Sequence, residues 1–102
     1  MVEQQPDLSI IIVTYNSAAV IASCLRSIAT HGGDLRAETL IVDNASTDDT
    51  LDLVRREFPW AKLFTGHTNI GFAAANNIGF EAARGRHFFV LNPDTETHPG
   101  AL

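Results

Sequence analysis

Three polar clusters stand out in the sequence because each directly follows a run of apolar, mostly β-branched or aromatic residues. The clusters are Thr14-Tyr15-Asn16-Ser17, Asp43-Asn44-Ala45-Ser46 and Asn92-Pro93-Asp94-Thr95. Carboxylate, amide and hydroxyl side chains can bind a polar ligand or a hard cation. The same residue types also form ordinary turns and helix caps, so one cluster alone would indicate little. The position of all three in the fold therefore decides their meaning.

The spacing of apolar residues predicts four strands and three helices in strict alternation. The predicted strands cover 8–14, 38–42, 61–65 and 87–91, and the predicted helices cover 18–30, 47–58 and 71–84. Ser17 and Ser46 are the expected N-caps of the first two helices. This alternation predicts an α/β fold, a three-layer Rossmann-like parallel sheet with strand order 3-2-1-4.

In a sheet of this kind, ligands bind beyond the carboxyl ends of the strands, where the strand order reverses. With the order 3-2-1-4 that point lies between strands 1 and 4. Strand 1 has strands 2 and 4 as its neighbours, so the three clusters should converge on one crevice. The sequence therefore predicts a binding site there.

Composition and charge exclude several classes of protein. The 102 residues are 45% hydrophobic, which is typical of a globular domain, and the net charge of −5 argues against a nucleic-acid partner. The single cysteine, Cys24, excludes a disulfide framework. No apolar run is long enough to span a membrane, and the polar residues 1–7, which we expect to be flexible, do not resemble a signal peptide. We expect a cytoplasmic location, with peripheral attachment at the inner face of the membrane as an open alternative.

Several familiar sites are missing from the sequence. It contains no Gly-x-Gly-x-x-Gly after the first strand, no Gly-x-x-x-x-Gly-Lys-Ser/Thr and no Gly-x-Ser-x-Gly. These absences argue against a dinucleotide-binding domain, a P-loop enzyme and an α/β-hydrolase. The four histidines are scattered, and Cys24 falls on the apolar stripe of the first helix, so neither residue type suggests a site.

Four segments, in order, carry a family resemblance. They are IIIVTYNSAAVIASCLRSI, LIVDNASTDDT, NIGFAAANNIGFEAARG and FFVLNPDTE. Together they resemble the amino-terminal, nucleotide-binding half of a family 2 glycosyltransferase with the GT-A fold. Asn92-Pro93-Asp94 stands where that family has its metal-binding Asp-x-Asp motif, and this variant is similar to a rhamnosyltransferase-like subset.

The resemblance implies roles for individual residues, residue by residue. Thr14, Tyr15 and Asn16 would contact the nucleoside. Asp43, together with Asn44, would hydrogen-bond a pyrimidine base, since an ionised carboxylate suits the imide N–H of uracil or thymine. Asp48 either supports this loop or only complements a helix dipole.

The other implied roles concern the donor sugar and a metal. Asn69, Gly71 and Asn77 would lie near the nucleotide sugar. Asn92 would contact the ribose, with the metal as its weaker alternative, and Asp94 would hold Mg²⁺ or Mn²⁺ against the diphosphate.

The function implied by the resemblance is metal-assisted transfer of a sugar, with inversion, from a UDP- or dTDP-sugar to a glycan or lipid-linked acceptor. A complete catalytic domain of this family is longer, so we expect 1–102 to be a single, truncated domain that lacks the catalytic base. We also expect self-association through the open edge of strand 4. The alternatives are a non-catalytic nucleotide-binding or assembly module of the same half-fold and a structural domain whose polar turns are only caps.

Overall fold

The computed structural model describes residues 5–31 and 36–94 and contains one four-stranded parallel sheet. Its strands are β1 (Leu8–Thr14), β2 (Ala37–Asp43), β3 (Lys62–Phe64) and β4 (His87–Leu91), joined by the helices α1 (Ala18–His31), α2 (Thr50–Glu57) and α3 (Phe72–Ala82). The strand order is β3-β2-β1-β4, which confirms the predicted order. The order reverses between β1 and β4.

The two central strands are buried because they are apolar on both faces. They pair in parallel from Leu8 opposite Ala37 to Thr14 opposite Asp43. On one face of the sheet, Ile10, Ile12 and Ile41 pack with residues of α1 and α2 in the main core. On the other face, Val13 and Val42 pack against Ala75 of α3. The helices therefore cover both faces, and the predicted three-layer architecture is confirmed.

Helix α3 lies unusually close to the sheet at Gly79. A Cβ atom at this position would lie 2.6 Å from Cγ2 of Ile11 in the central strand. Only glycine permits this approach without moving the helix, the strand or the side chain of Ile11. Gly79 and Ala75 therefore pack directly against the sheet, and this contact sets the distance between α3 and β1.

The amino-terminal end of the sheet is held by the buried carboxylate of Glu38. It accepts hydrogen bonds from the Ser9 hydroxyl (2.6 Å), from Lys62 Nζ (2.9 Å) and from the backbone N–H of Arg84. Ser9 Oγ in turn accepts the backbone N–H of Gly85 at 2.7 Å. Burial acts to raise the pKa of Glu38, but the hydrogen bonds from Ser9, Arg84 and Lys62 outweigh it and leave the pKa below its ordinary value.

The main difference from the predicted elements concerns the start of the second helix. It begins at Thr50 rather than at residue 47, and its N-cap residue Asp49 makes no side-chain capping bond. Ser46 is therefore not its N-cap. The backbone N–H of Ser46 is bound by Asp43 instead, and that of Thr50 by Asp48, so residues 44–49 form a loop.

The first helix also begins differently from the expected side-chain cap. The carbonyl of Ser17 accepts the first helical bond from Ile21 at 2.9 Å, but the Ser17 hydroxyl turns back to the backbone of Tyr15. The N–H of Ala18 is bound by the carboxylate of Asp48 at 3.2 Å. Asp48 of the β2–α2 loop thus caps the first turn of α1.

Within 1–7, the segment expected to be flexible, residues 1–4 lie outside the described part of the chain. The carbonyl of Pro6 accepts a hydrogen bond from Arg86 N (3.1 Å), and the N–H of Asp7 donates to Arg36 O (2.7 Å). In the part of the chain that the structure describes, no helix combines the length and apolar character needed to cross a membrane.

Candidate functional site

The β1–α1 and β2–α2 loops are joined by Asn16 at the carboxyl edge of the sheet. Asn16 has a φ of 48°, a left-handed conformation that asparagine tolerates well. Its Oδ1 accepts the backbone N–H groups of Thr47 (2.7 Å) and Asp48 (3.2 Å), and its own N–H donates to Ser46 Oγ at 2.8 Å. The two loops are therefore bound to each other rather than only adjacent.

Asp43 is the buried centre of this pair of loops. Its side chain is 0% exposed. The carboxylate accepts hydrogen bonds from the hydroxyl of Thr14 (2.6 Å), the hydroxyl of Ser46 (2.6 Å) and the N–H of Ser46 (2.9 Å). In this conformation a ligand base has no surface of Asp43 to contact. Direct contact of Asp43 with a base stays a prediction, and its observed contacts brace the two loops.

Asp48 lies before α2 and not in its first turn. One carboxylate oxygen accepts the hydroxyl and the N–H of Thr50, and the other accepts the N–H of Ala18. These bonds, with that from the Thr50 hydroxyl the strongest, hold the pKa of Asp48 below its ordinary value. Asp48 was expected either to support this loop or only to complement the dipole of α2, and its observed hydrogen bonds are those of a residue that supports the loop.

Asn44 connects this network to the β3–α3 loop. Its Nδ2 donates to the carbonyl of Gly71 at 3.1 Å, and its Oδ1 lies 3.1 Å from Nε2 of His67. Asn69 Oδ1 accepts the N–H of Gly71 at 3.0 Å. Gly71 has a φ of 84°, which favours glycine, and α3 begins immediately after it. His67 was missed from the sequence, where nothing in its spacing marked it.

The turn that follows β4 lies at the same edge of the sheet. Leu91 is opposite Ile12, and continuing this register places Asn92 beside Val13. Asn92 and Asp94 are both exposed. Behind the turn, Cys24 Sγ donates to the carbonyl of Asn92 at 3.9 Å. Burial, with a contribution from the charge of Asp94, raises the pKa of Cys24 to about 11, which makes it an inert core thiol.

The metal expected at Asp94 would find few protein ligands among the described residues. Among residues 5–31 and 36–94 the structure has no group of three histidine, cysteine, aspartate or glutamate side chains that could hold a metal ion. Asp94 offers one exposed carboxylate, and Asn92 offers an amide oxygen two residues earlier. Such a set fits a hard cation that takes its other oxygen ligands from a bound diphosphate and water.

The predicted site residues thus fall into two groups. One group is buried and forms the hydrogen-bonded frame, namely Thr14, Asp43 and Asn44. The other is exposed around that frame, namely Tyr15, Asn16, Asn69, Gly71, Asn77, Asn92 and Asp94. Hydrogen bonds connect the β1–α1, β2–α2 and β3–α3 loops directly. The turn after β4 lies beside them because β4 pairs with β1. Asn77 has an exposed side chain on α3, and no described bond connects it to the frame.

Comparisons with known proteins agree with this architecture. The model of the protein family described as "Glycosyl transferase family 2" matches residues 9–102 of this chain. The succinoglycan biosynthesis protein ExoO of Rhizobium meliloti (strain 1021) is 33% identical over 102 residues, which cover 99% of this chain and 29% of ExoO.

Two solved structures are similar in both sequence and fold. The crystal structure of S. aureus TarS 1-349 in complex with UDP has a TM-score of 0.77 and 30% identity, covering 86% of this chain and 27% of that one. The mannosyltransferase PcManGT from Pyrobaculum calidifontis, in complex with GDP-Man and Mn²⁺, has a TM-score of 0.77 and 30% identity, covering 91% and 29%. The chain spans less than a third of the length of each of these three proteins. Since the family match extends over nearly all of its residues, the chain belongs to glycosyl transferase family 2.

Proposed function

We propose that this chain forms the nucleotide-sugar-binding part of an inverting glycosyltransferase, which transfers a sugar from a nucleotide-diphosphate sugar to an acceptor hydroxyl. The observation that carries the proposal is the hydrogen-bonded convergence of three loops beside the exposed Asn92-Pro93-Asp94 turn, where the strand order reverses. TarS in complex with UDP and PcManGT in complex with GDP-Man support a nucleotide-sugar donor.

In this proposal the buried frame orients the exposed residues that meet the nucleoside. Tyr15 is 53% exposed, so its ring is free to pack against a base or ribose. Asn16 is held rigid by its bonds to the second loop, which keeps the adjacent Tyr15 backbone in place. Thr14, Asp43 and Asn44 then act on the base through loop position. TarS in complex with UDP supports uracil or thymine as the donor base. Preorganisation of this kind reduces the ordering cost of binding.

The diphosphate would lie between the start of α3 and the β4 turn. The exposed Gly71 allows backbone approach, and the first N–H groups of α3 favour an anion. Asp94 would hold Mg²⁺ or Mn²⁺, and Asn92 would contact the ribose. A bound divalent cation neutralises the charge that develops on the leaving diphosphate. PcManGT in complex with Mn²⁺ supports this use of a metal.

The acceptor in this proposal is a glycan or lipid-linked hydroxyl, and the reaction takes place in the cytoplasm or at the inner face of the membrane. No residue of this chain is assigned as the general base. The alternative, a non-catalytic nucleotide-binding module, predicts the same donor binding. The two differ in one assay, because only the glycosyltransferase consumes a nucleotide-diphosphate sugar when the whole protein is supplied with acceptor.

The binding part of the proposal is tested by thermal unfolding with UDP, dTDP and GDP, each with and without Mn²⁺. A ligand at about 100 times its Kd adds about 2.7 kcal/mol, which is on the order of 10 °C or more for a domain of this size. We expect a metal-dependent shift with UDP or dTDP that Asp94→Ala removes. Asp52→Ala, an exposed aspartate on α2, is the matched control. No shift with any nucleotide in a folded sample would contradict the proposal.

Self-association through β4 is proposed separately. Phe88, Phe89 and Val90 are 52%, 40% and 40% exposed, and β4 pairs only with β1 among the described residues. A second copy could pair along this strand. Sedimentation over a range of concentrations should then show a dimer that Val90→Lys weakens. A monomer at every concentration would contradict this.

A further inference from the structure

His67 lies in the loop between β3 and α3, and its side chain contacts the buried frame of the site. Its imidazole Nε2 is 3.1 Å from Oδ1 of Asn44, a residue that is only 3% exposed. Asn44 directly follows β2, so this contact joins the β2–α2 and β3–α3 loops through two side chains. The half-buried imidazole is thus part of the structure that surrounds the proposed donor site.

The partners of Asn44 determine which ring nitrogen of His67 carries the proton. The amide nitrogen Nδ2 faces the carbonyl of Gly71, 3.1 Å away, because a carbonyl oxygen can only accept a hydrogen bond. The amide oxygen Oδ1 therefore faces His67, and it requires an N–H group opposite it. The neutral imidazole thus carries its proton on Nε2, since the other tautomer would place two acceptors against each other.

These hydrogen bonds continue to the start of α3. The carbonyl of Gly71 accepts from Nδ2 of Asn44 and from the backbone N–H of Ala75, also at 3.1 Å, which is the first bond of the helix. The N–H of Gly71 donates to Oδ1 of Asn69 at 3.0 Å. The direction of the Asn44 amide therefore fixes the first turn of α3, together with the N–H groups there that favour an anion.

We infer that His67 is a positioning residue for the nucleotide-diphosphate sugar and that it acts through Asn44. The inference rests on the proposed function and adds to it a residue that holds the start of α3 in place. Without the imidazole, the buried Oδ1 of Asn44 would lose its partner, and the amide would turn toward water and away from Gly71. With the imidazole, the first turn of α3 is in place before the diphosphate arrives, which lowers the ordering cost of binding.

The experiment measures affinity by calorimetry, with Mg²⁺ present, for UDP or dTDP, whichever the wild-type protein binds more tightly. His67→Gln keeps an N–H donor at the position of Nε2, whereas His67→Ala has no donor and His67→Asn is too short to reach Asn44. We expect His67→Ala and His67→Asn to bind about three- to tenfold more weakly, the effect of one lost neutral hydrogen bond. His67→Gln should bind like the wild type. His87→Ala, at an exposed position on the opposite edge of the sheet, is the control and should bind like the wild type too.

An NMR spectrum of the ligand-free protein supplies a second readout. The ¹⁵N signals of the neutral His67 ring should show the proton on Nε2, and the backbone amides of 71–75 should shift in His67→Ala and return in His67→Gln. A neutral ring protonated on Nδ1 would overturn the inference. Wild-type affinity in a folded His67→Ala, or an affinity of His67→Gln as low as that of His67→Ala, would overturn it too and leave the proposed function intact. No binding by the wild-type protein would refute the proposed function and the inference with it.

Discussion

Replacement of the buried Asp43 by asparagine tests the frame of the site. Asp43→Asn keeps the size and shape of the side chain but removes its charge and turns one acceptor into an NH₂ donor. In the wild-type protein, Oδ1 of the carboxylate accepts hydrogen bonds from the hydroxyls of Thr14 and Ser46, and Oδ2 accepts one from the N–H of Ser46. The amide can keep the two hydroxyl bonds only by placing its NH₂ group against the N–H of Ser46.

The magnitude follows from those three bonds. One charged hydrogen bond, worth about 1.5–3 kcal/mol, is lost, and the other two become neutral and weaker. The lower cost of burying an amide offsets part of this loss. We expect Asp43→Asn to lower the free energy of unfolding by about 2 kcal/mol, or the Tm by about 8–16 °C, since 1 kcal/mol corresponds to about 4–8 °C in a domain of this size.

Urea unfolding followed by circular dichroism measures this change. Asp49→Asn is the matched control, because Asp49 is an exposed aspartate of the same loop whose side chain makes no capping bond. The control should lie within about 0.5 kcal/mol of the wild type. If Asp43→Asn unfolded at the wild-type urea concentration, the assigned hydrogen bonds would be wrong and Asp43 would be free to serve a ligand directly.

Three further predictions concern the rest of the fold. The pKa of Glu38 is below its ordinary value of 4.5 in the folded state, so its contribution to stability is complete above pH 4.5 and is lost as the pH falls through the folded pKa. Between pH 7 and pH 3, the urea midpoint of Glu38→Gln should therefore fall less steeply than that of the wild type. Parallel curves for the two proteins would contradict this. Gly79→Ala forces a methyl group to within 2.6 Å of Ile11 Cγ2, so it should cost about 1–3 kcal/mol in urea unfolding, and a stabilised variant would show that α3 is not fixed there. The pKa of Cys24 is raised to about 11, so Ellman's reagent at pH 8 should label the thiol only after unfolding, and rapid labelling of the folded protein would refute its burial.

The sequence was sufficient for the sheet order because the near-continuous apolar run of β1 marks a strand covered on both faces. It was also sufficient for the position of the polar clusters, since parallel strands bring their carboxyl ends to one edge. It was not sufficient for the start of α2. Thr47 to Asp49 suit a first helical turn by composition, and only the long-range bonds to Asn16 and Ala18 keep residues 44–49 in a loop.

Side-chain direction was the other limit of the sequence. Asp43 ends a strand and could face a ligand or the core, and the difference depends on Thr14, 29 residues away, which binds it. Asn76 and Asn77 are equivalent in composition, and only the contact of α3 with the sheet decides which one is buried. His67 gave no signal because its partner Asn44 lies in another loop.

The most direct test of the central claim is to map nucleotide binding onto individual backbone amides by NMR. In a titration of the ¹⁵N-labelled protein with UDP or dTDP and Mg²⁺, we expect the largest shift changes at 14–17, 43–48, 69–73 and 91–94, where the loops converge. Amides around Ser9, Glu38 and Gly85, at the opposite edge of the sheet, should be unchanged and serve as the internal control. Changes centred on that opposite edge, or none at saturating nucleotide, would contradict the account.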